Sequence, residues 1–131
     1  MKIRILSLTT GLLYLSAAHA DVVVIVNPNA AAPTKEEISD VYLGKTHSLT
    51  AIDQPESAAI RADFYRKATG RDLAQVKAIW SRLVFSGRGQ PPKEVPDAAA
   101  VKKAVASDPK AVGYIDTSAV DATVKVVLRL D

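Results

Sequence analysis

The chain contains no cysteine. No disulfide can staple it, and no thiolate can hold a metal or attack a substrate. Histidine is almost as scarce, with only His19 and His47 among 131 residues. A multi-histidine metal centre is therefore excluded, as is the HExxH zinc motif. There is no GxSxG turn to expose a serine nucleophile, and His47 has no partner at an informative spacing. Fourteen Asp and Glu can be paired in many ways, so no carboxylate pair stands out as a general acid and base. These absences point away from an enzyme and give no catalytic residue, no metal ligand and no cofactor.

Long apolar runs are missing too. The apolar stretch near the start, Ile5 to Leu15, carries no charge and falls well short of the ~20 residues that cross a bilayer. Lys2 and Arg4 precede it, and Ser16-Ala17-Ala18-His19-Ala20 follows with small residues at Ala18 and Ala20. That is the layout of a secretory signal peptide cut before Asp21. Residues 1–20 are expected to be the signal and 21–131 one exported, periplasmic domain without a membrane span. Lys2 and Arg4 would leave with the signal, so the formal charge falls from +3 to +1. Both signs are interspersed in the remainder, without the basic stripe of a nucleic-acid binder.

Val22-Val23-Val24-Ile25-Val26 is an unbroken β-branched run, as in a strand buried on both faces. Thr34-x-x-Glu37 is a capping-box pattern, and Ile38, Val41 and Tyr42 line one face of the helix behind it, up to Gly44. Leu49 to Ile52 reads as a strand running into Asp53. Gln54-Pro55-Glu56-Ser57 turns into a helix with Ser57 as N-cap and Ile60, Phe64 and Ala68 as its apolar stripe. Asp72 caps a longer helix with Leu73, Val76, Trp80, Leu83 and Val84 at three-and-four spacing. Residues 87–97 form a proline-rich loop, Asp97 caps a short helix to Ser107, and strands follow at 111–115 and 124–130. Strands separated by helices predict an α/β fold, with a mixed sheet of about four strands covered by about four helices.

Three stretches together resemble the phosphate-type substrate-binding proteins of ABC transporters. Val41-Tyr42-Leu43-Gly44-Lys45 is similar to their IF-x-GK helix end. Asp53 to Phe64, with Arg61-x-x-Phe64, resembles the segment where a strand turns into the helix that holds the anion. Ala111-Val112-Gly113-Tyr114-Ile115 resembles their GAIGYV strand, and Trp80 through Phe85-Ser86-Gly87 resembles short exported members. The resemblance runs over roughly residues 22–130. It implies one lobe of a type II periplasmic binding protein and a small oxyanion, phosphate or sulfate, as ligand. Full-length receptors clamp that ligand between two lobes, whereas this chain is the size of one. Their Ser-Gly-Thr helix start is replaced by Ser57-Ala58-Ala59, and Asn27-Pro28-Asn29 stands where they carry a glycine-rich loop.

The candidate site follows from both lines. Ser57 lies just past a strand end, where the free N–H groups and dipole of a helix start favour an anion. Ser57 and Ala58 would supply that start, Arg61 one turn on would reach back to the anion, and Gln54 would add an amide donor. Gly87 and Arg88, in the short Ser86-Gly87-Arg88-Gly89 loop, would let backbone approach the same ligand. A lobe supplying one wall calls for a second wall from another copy of the chain or from an envelope protein. Alternatively the lobe has lost its ligand and serves as an envelope interaction module. Intact-mass measurement of protein from the periplasmic fraction is expected to give Asp21 as the first residue, and a full-length cytoplasmic product would remove the assignment to the periplasm.

Overall fold

The computed structural model describes residues 21–131, and the expected signal peptide lies outside the described residues. The elements run β1 (Val22–Val26), α1 (Lys35–Tyr42), β2 (Thr50–Asp53), α2 (Ala59–Thr69), α3 (Leu73–Phe85), β3 (Lys93–Glu94), α4 (Ala98–Ser107), β4 (Ala111–Asp116), a 3-10 turn (Thr117–Ala119) and β5 (Lys125–Leu130). The five strands form one mixed sheet in the order β3-β2-β4-β1-β5. β1 runs antiparallel to β4 and β5, while β2 is parallel to both β4 and β3. The expected α/β class and the four helices are observed. The strand count is one higher because Lys93–Glu94, inside the proline-rich loop, pairs along the edge of β2.

The β-branched run of β1 explains itself in this setting. Val22, Val24 and Val26 point into a core with residues of α1, α2 and α3 such as Ile38, Tyr42, Phe64 and Trp80. Val23 and Ile25 point the other way, onto Val101 and Val105 of α4. Successive side chains of a strand alternate between faces, so a strand between two helical layers needs apolar residues at every position.

Helix starts follow the capping chemistry at three of four places. Thr34 Oγ1 accepts from the Glu37 N–H at 3.1 Å. Glu37 does not close the box, because its carboxylate accepts from Ser48 Oγ at 3.2 Å instead. Asp72 and Gln75 form a complete reciprocal box, and Asp97 accepts from the Ala100 N–H at 2.9 Å. The exception is α2. Ala58 N–H donates to Pro55 O at 2.9 Å, a tight turn that moves the helix start one residue past the expected cap. Ala58, not Ser57, is the N-cap, and no side chain caps it.

Trp80 joins α3 to the end of α1. Its Nε1–H donates to Tyr42 O at 2.9 Å, and its side chain is 8% exposed. Gly44 makes this approach possible. It sits at φ +72, and a Cβ there would come within 2.5 Å of Leu83 Cδ1 and 3.0 Å of Trp80 Cη2. The expected stripe of α3 needs one correction: Leu83 packs against the core, whereas Val84, turned about 100° further round the helix, is 50% exposed. Trp80→Ala should cost ~3–5 kcal/mol through lost burial and a cavity. Chemical denaturation checks this, and a cost below ~1 kcal/mol would show that Trp80 does not anchor α3.

Candidate functional site

The carboxyl end of β2 carries a buried carboxylate. Asp53 is 1% exposed, and burying such a charge is costly unless it is fully hydrogen-bonded or paired. Here it is both. Oδ1 accepts from the Tyr114 hydroxyl and from the Gln54 N–H at 2.8 Å, and Oδ2 accepts from the Tyr65 hydroxyl at 2.5 Å. The Arg61 Nε lies 3.9 Å from Oδ1. One aspartate thus ties together β2, α2 and β4. Phe64 stacks on Tyr114 with ring centroids 4.0 Å apart. Tyr42 meets Phe64 edge-on at 4.6 Å and donates its hydroxyl to Ile52 O at 2.7 Å.

Arg61 is fastened rather than free. Its Nη1 donates to Gln54 O at 2.8 Å and lies 3.4 Å from Glu94 Oε1. Its guanidinium sits 5.8 Å from the Tyr65 ring centroid, and its buried Nε has no hydrogen-bond partner. Burial, then the Asp53 charge, pushes the Tyr65 and Tyr114 phenols well above their ordinary 10.0, and the buried Tyr42 likewise.

In front of this network opens a cleft of about 520 Å³. Asp53, Glu56, Arg61 and Glu94 supply its polar side, and Trp80, Val84, Phe85, Pro91 and Pro92 its apolar side, with Lys77 on the rim. Carboxylates outnumber cations around it, which weakens its field for a dianion. A second groove, of about 700 Å³, lies on the other flank of α3, where Lys45, Arg71, Arg82 and Arg88 surround Leu43, Ile79 and Leu83.

The residues expected to form one site are divided between these places. Gln54, Ser57, Ala58 and Arg61 come together at the β2–α2 turn. Gln54 is buried there, and its Nε2 donates to Tyr114 O at 2.9 Å, so this amide is engaged in the fold. Ser57 is exposed on the turn. Gly87 sits at φ +70 just past α3, and the Arg88 N–H donates back to Leu83 O at 2.9 Å. That is the hydrogen bonding of a helix end, and it sends Arg88 to the second groove, away from Ser57. Asp53, Tyr65 and Glu94 are not among the residues expected at the site, and Tyr114 of β4 turns its hydroxyl to Asp53. The one sign available was Asp53 itself, an acid closing an otherwise apolar strand.

No family model matches the chain, and no curated protein matches it. Solved structures do. An ABC-type phosphate transport receptor from Vibrio cholerae is 18% identical, with a TM-score of 0.61 over 82% of this chain and 45% of the receptor. A protein described as a phosphate ABC transporter substrate-binding protein from Clostridium perfringens, solved with bound phosphate, is 18% identical, with a TM-score of 0.64 over 82% and 44%. PstS from Borrelia burgdorferi is 11% identical, with a TM-score of 0.60 over 82% and 46%. At such identities the likeness is one of fold. The architecture is that of one lobe of a phosphate-type periplasmic binding protein, in agreement with the motifs. The chain spans less than half the length of each of these structures. Among the described residues no helix is long and apolar enough to cross a membrane.

The raised phenols carry a pH dependence. A tyrosine whose folded pKa exceeds its unfolded value stabilises the fold fully below the unfolded pKa, and that contribution is lost as pH rises beyond it. Stability should therefore decline once pH passes the ordinary tyrosine value of 10.0. Tyr65→Phe is expected to cost ~1.5–3 kcal/mol at neutral pH, the range for a hydrogen bond to a charged group, and to flatten the alkaline decline. Urea denaturation of wild type and variant across this pH range measures both. An unchanged alkaline slope would mean that Tyr65 does not titrate with folding.

Proposed function

We propose that the chain is an exported, non-enzymatic, solute-binding-type lobe that takes a small oxyanion, phosphate or sulfate, at the start of α2. The observation that carries this reading is the β2–α2 turn. α1, α3 and α4 each have a side-chain cap on their first N–H groups, whereas α2 has none. An anion suits such an uncapped start, through its N–H groups and the helix dipole. The start lies at the carboxyl end of a sheet strand, where open α/β sheets hold ligands, and Ser57 is exposed beside it. Arg61 stands one turn in, its guanidinium lining the cleft. The likeness of the fold to a protein solved with bound phosphate supports the choice of ligand class.

Affinity on this wall is modest by construction. The buried Asp53 takes up much of the Arg61 charge, Glu56 and Glu94 stand nearby, and an open cleft leaves each contact screened by water. A second reading, an interaction module of the envelope, is favoured by the apolar side of the same cleft. Val84 is 50% and Phe85 96% exposed there, and solvent exposure of such adjoining large side chains marks a contact surface.

Calorimetric titration of phosphate into the exported protein tests the first reading. Wild type should bind at millimolar concentrations, and Arg61→Ala should weaken binding by ~1.5–3 kcal/mol. This variant also strips a buried carboxylate of its counter-charge, a destabilising change, so the comparison is made where circular dichroism shows both proteins folded. Absence of phosphate and sulfate binding by wild type would leave the interaction module as the reading.

A further inference from the structure

We propose that the outer face of α3 is the contact between two copies of this chain. The inference rests on the interaction reading and does not require an oxyanion. α3 is the least covered helix. Of its 13 residues only Val76 and Trp80 are buried, and its last turn ends in the exposed Val84 and Phe85, the two exposed large hydrophobics among the described residues. With a helical advance of 100° per residue, Phe85 falls opposite the buried stripe, at the outermost point of the helix.

The two flanks of this apolar point differ in sign. One flank is the cleft, where Arg61 is shared between Asp53 and Glu94, so that three carboxylates, Asp53, Glu56 and Glu94, stand against Arg61 and Lys77. The other is the groove whose cations include Arg82 and Arg88, with no carboxylate in its lining. Asp40 approaches only Lys45 there, at 4.0 Å. A lipid surface of one sign would be attracted by one flank and repelled by the other. A protein surface with the mirrored pattern satisfies both, and this chain carries that pattern itself. A two-fold axis parallel to α3 places the helices side by side, pointing the same way. It brings Phe85 against Phe85 and the acidic flank of each copy against the basic flank of the other. An axis perpendicular to α3 would set like against like. The first arrangement is isologous and closes on itself as a dimer, and its opposed charges select the register. A helix of 13 residues is about 20 Å long, so the contact lies at the small end of protein interfaces and pairing should be concentration-dependent.

Sedimentation velocity on the protein expressed from its whole sequence and purified without phosphate tests this pairing. Wild type should form dimers in the micromolar to millimolar range. Phe85→Ser, a change at a solvent-exposed position, should weaken pairing ~10-fold or more, in the manner of a central apolar contact. The Arg82→Glu/Arg88→Glu variant and the Glu56→Lys/Glu94→Lys variant should each be monomeric. An equimolar mixture of the two should restore a heterodimer, a rescue that mere destabilisation cannot produce. Wild type that stays monomeric throughout this range, or a mixture that stays monomeric, would overturn the proposal. Flotation of monomeric wild type with phosphatidylglycerol vesicles, lost in the Phe85→Ser variant, would overturn it in favour of a membrane surface. Phosphate binding by a strictly monomeric protein would leave the oxyanion reading standing and remove only the dimer.

Discussion

A single buried carboxylate organises this lobe. Asp53 closes β2 at a point where the sheet passes beneath α2, so its charge is shut away from water. Leaving such a group without partners would destabilise the fold by several kcal/mol. Its partners are Tyr65 on α2, Tyr114 on β4, and the backbone of the adjoining Gln54. The two tyrosine donors also belong to the aromatic packing around Tyr42 and Phe64. The hydrogen-bond network and the apolar core are thus one object here. That arrangement also positions the candidate site, because Arg61 is held where Asp53, Gln54 O and Glu94 converge.

What could be read from the chain depended on the range of the interaction. Capping at Thr34, Asp72 and Asp97 is local, and these three helix starts were legible. The doubly buried β1 was legible because its run of β-branched residues has no other economical explanation. The start of α2 was read one residue early, since the Pro55 carbonyl forms a turn to Ala58 that competes with a Ser57 cap. β3 was missed because two residues between prolines have no periodicity, and only the neighbouring edge of β2 makes them a strand.

The candidate site was legible as a place and less so as a set of contacts. Ser57, Ala58 and Arg61 do share the β2–α2 turn. Their environment could not be foreseen, because it is set by Tyr114, 61 residues beyond Asp53, and by an edge strand carrying Glu94. Nothing in spacing shows which of fourteen acids the sheet will bury. Gly87 and Arg88 looked like a ligand loop for the reason that glycine permits close approach. The hydrogen bond from Arg88 N–H to Leu83 O shows the simpler use of that freedom, which is to end α3.

The two proposals bear on each other through charge. Glu56 and Glu94 oppose an oxyanion at the α2 start, and they are also the groups that an Arg82 and Arg88 pair from a second copy would face. In a paired form those carboxylates would be neutralised, which removes their repulsion of an anion, and the open side of the cleft would be covered, which lowers the local dielectric and strengthens the attraction at Arg61. Linkage then runs both ways: whatever factor pairing adds to anion affinity, the anion must add to pairing. The Arg61 guanidinium is already engaged by a buried aspartate, so an anion bound beside it would gain most from a partner that brings cations of its own.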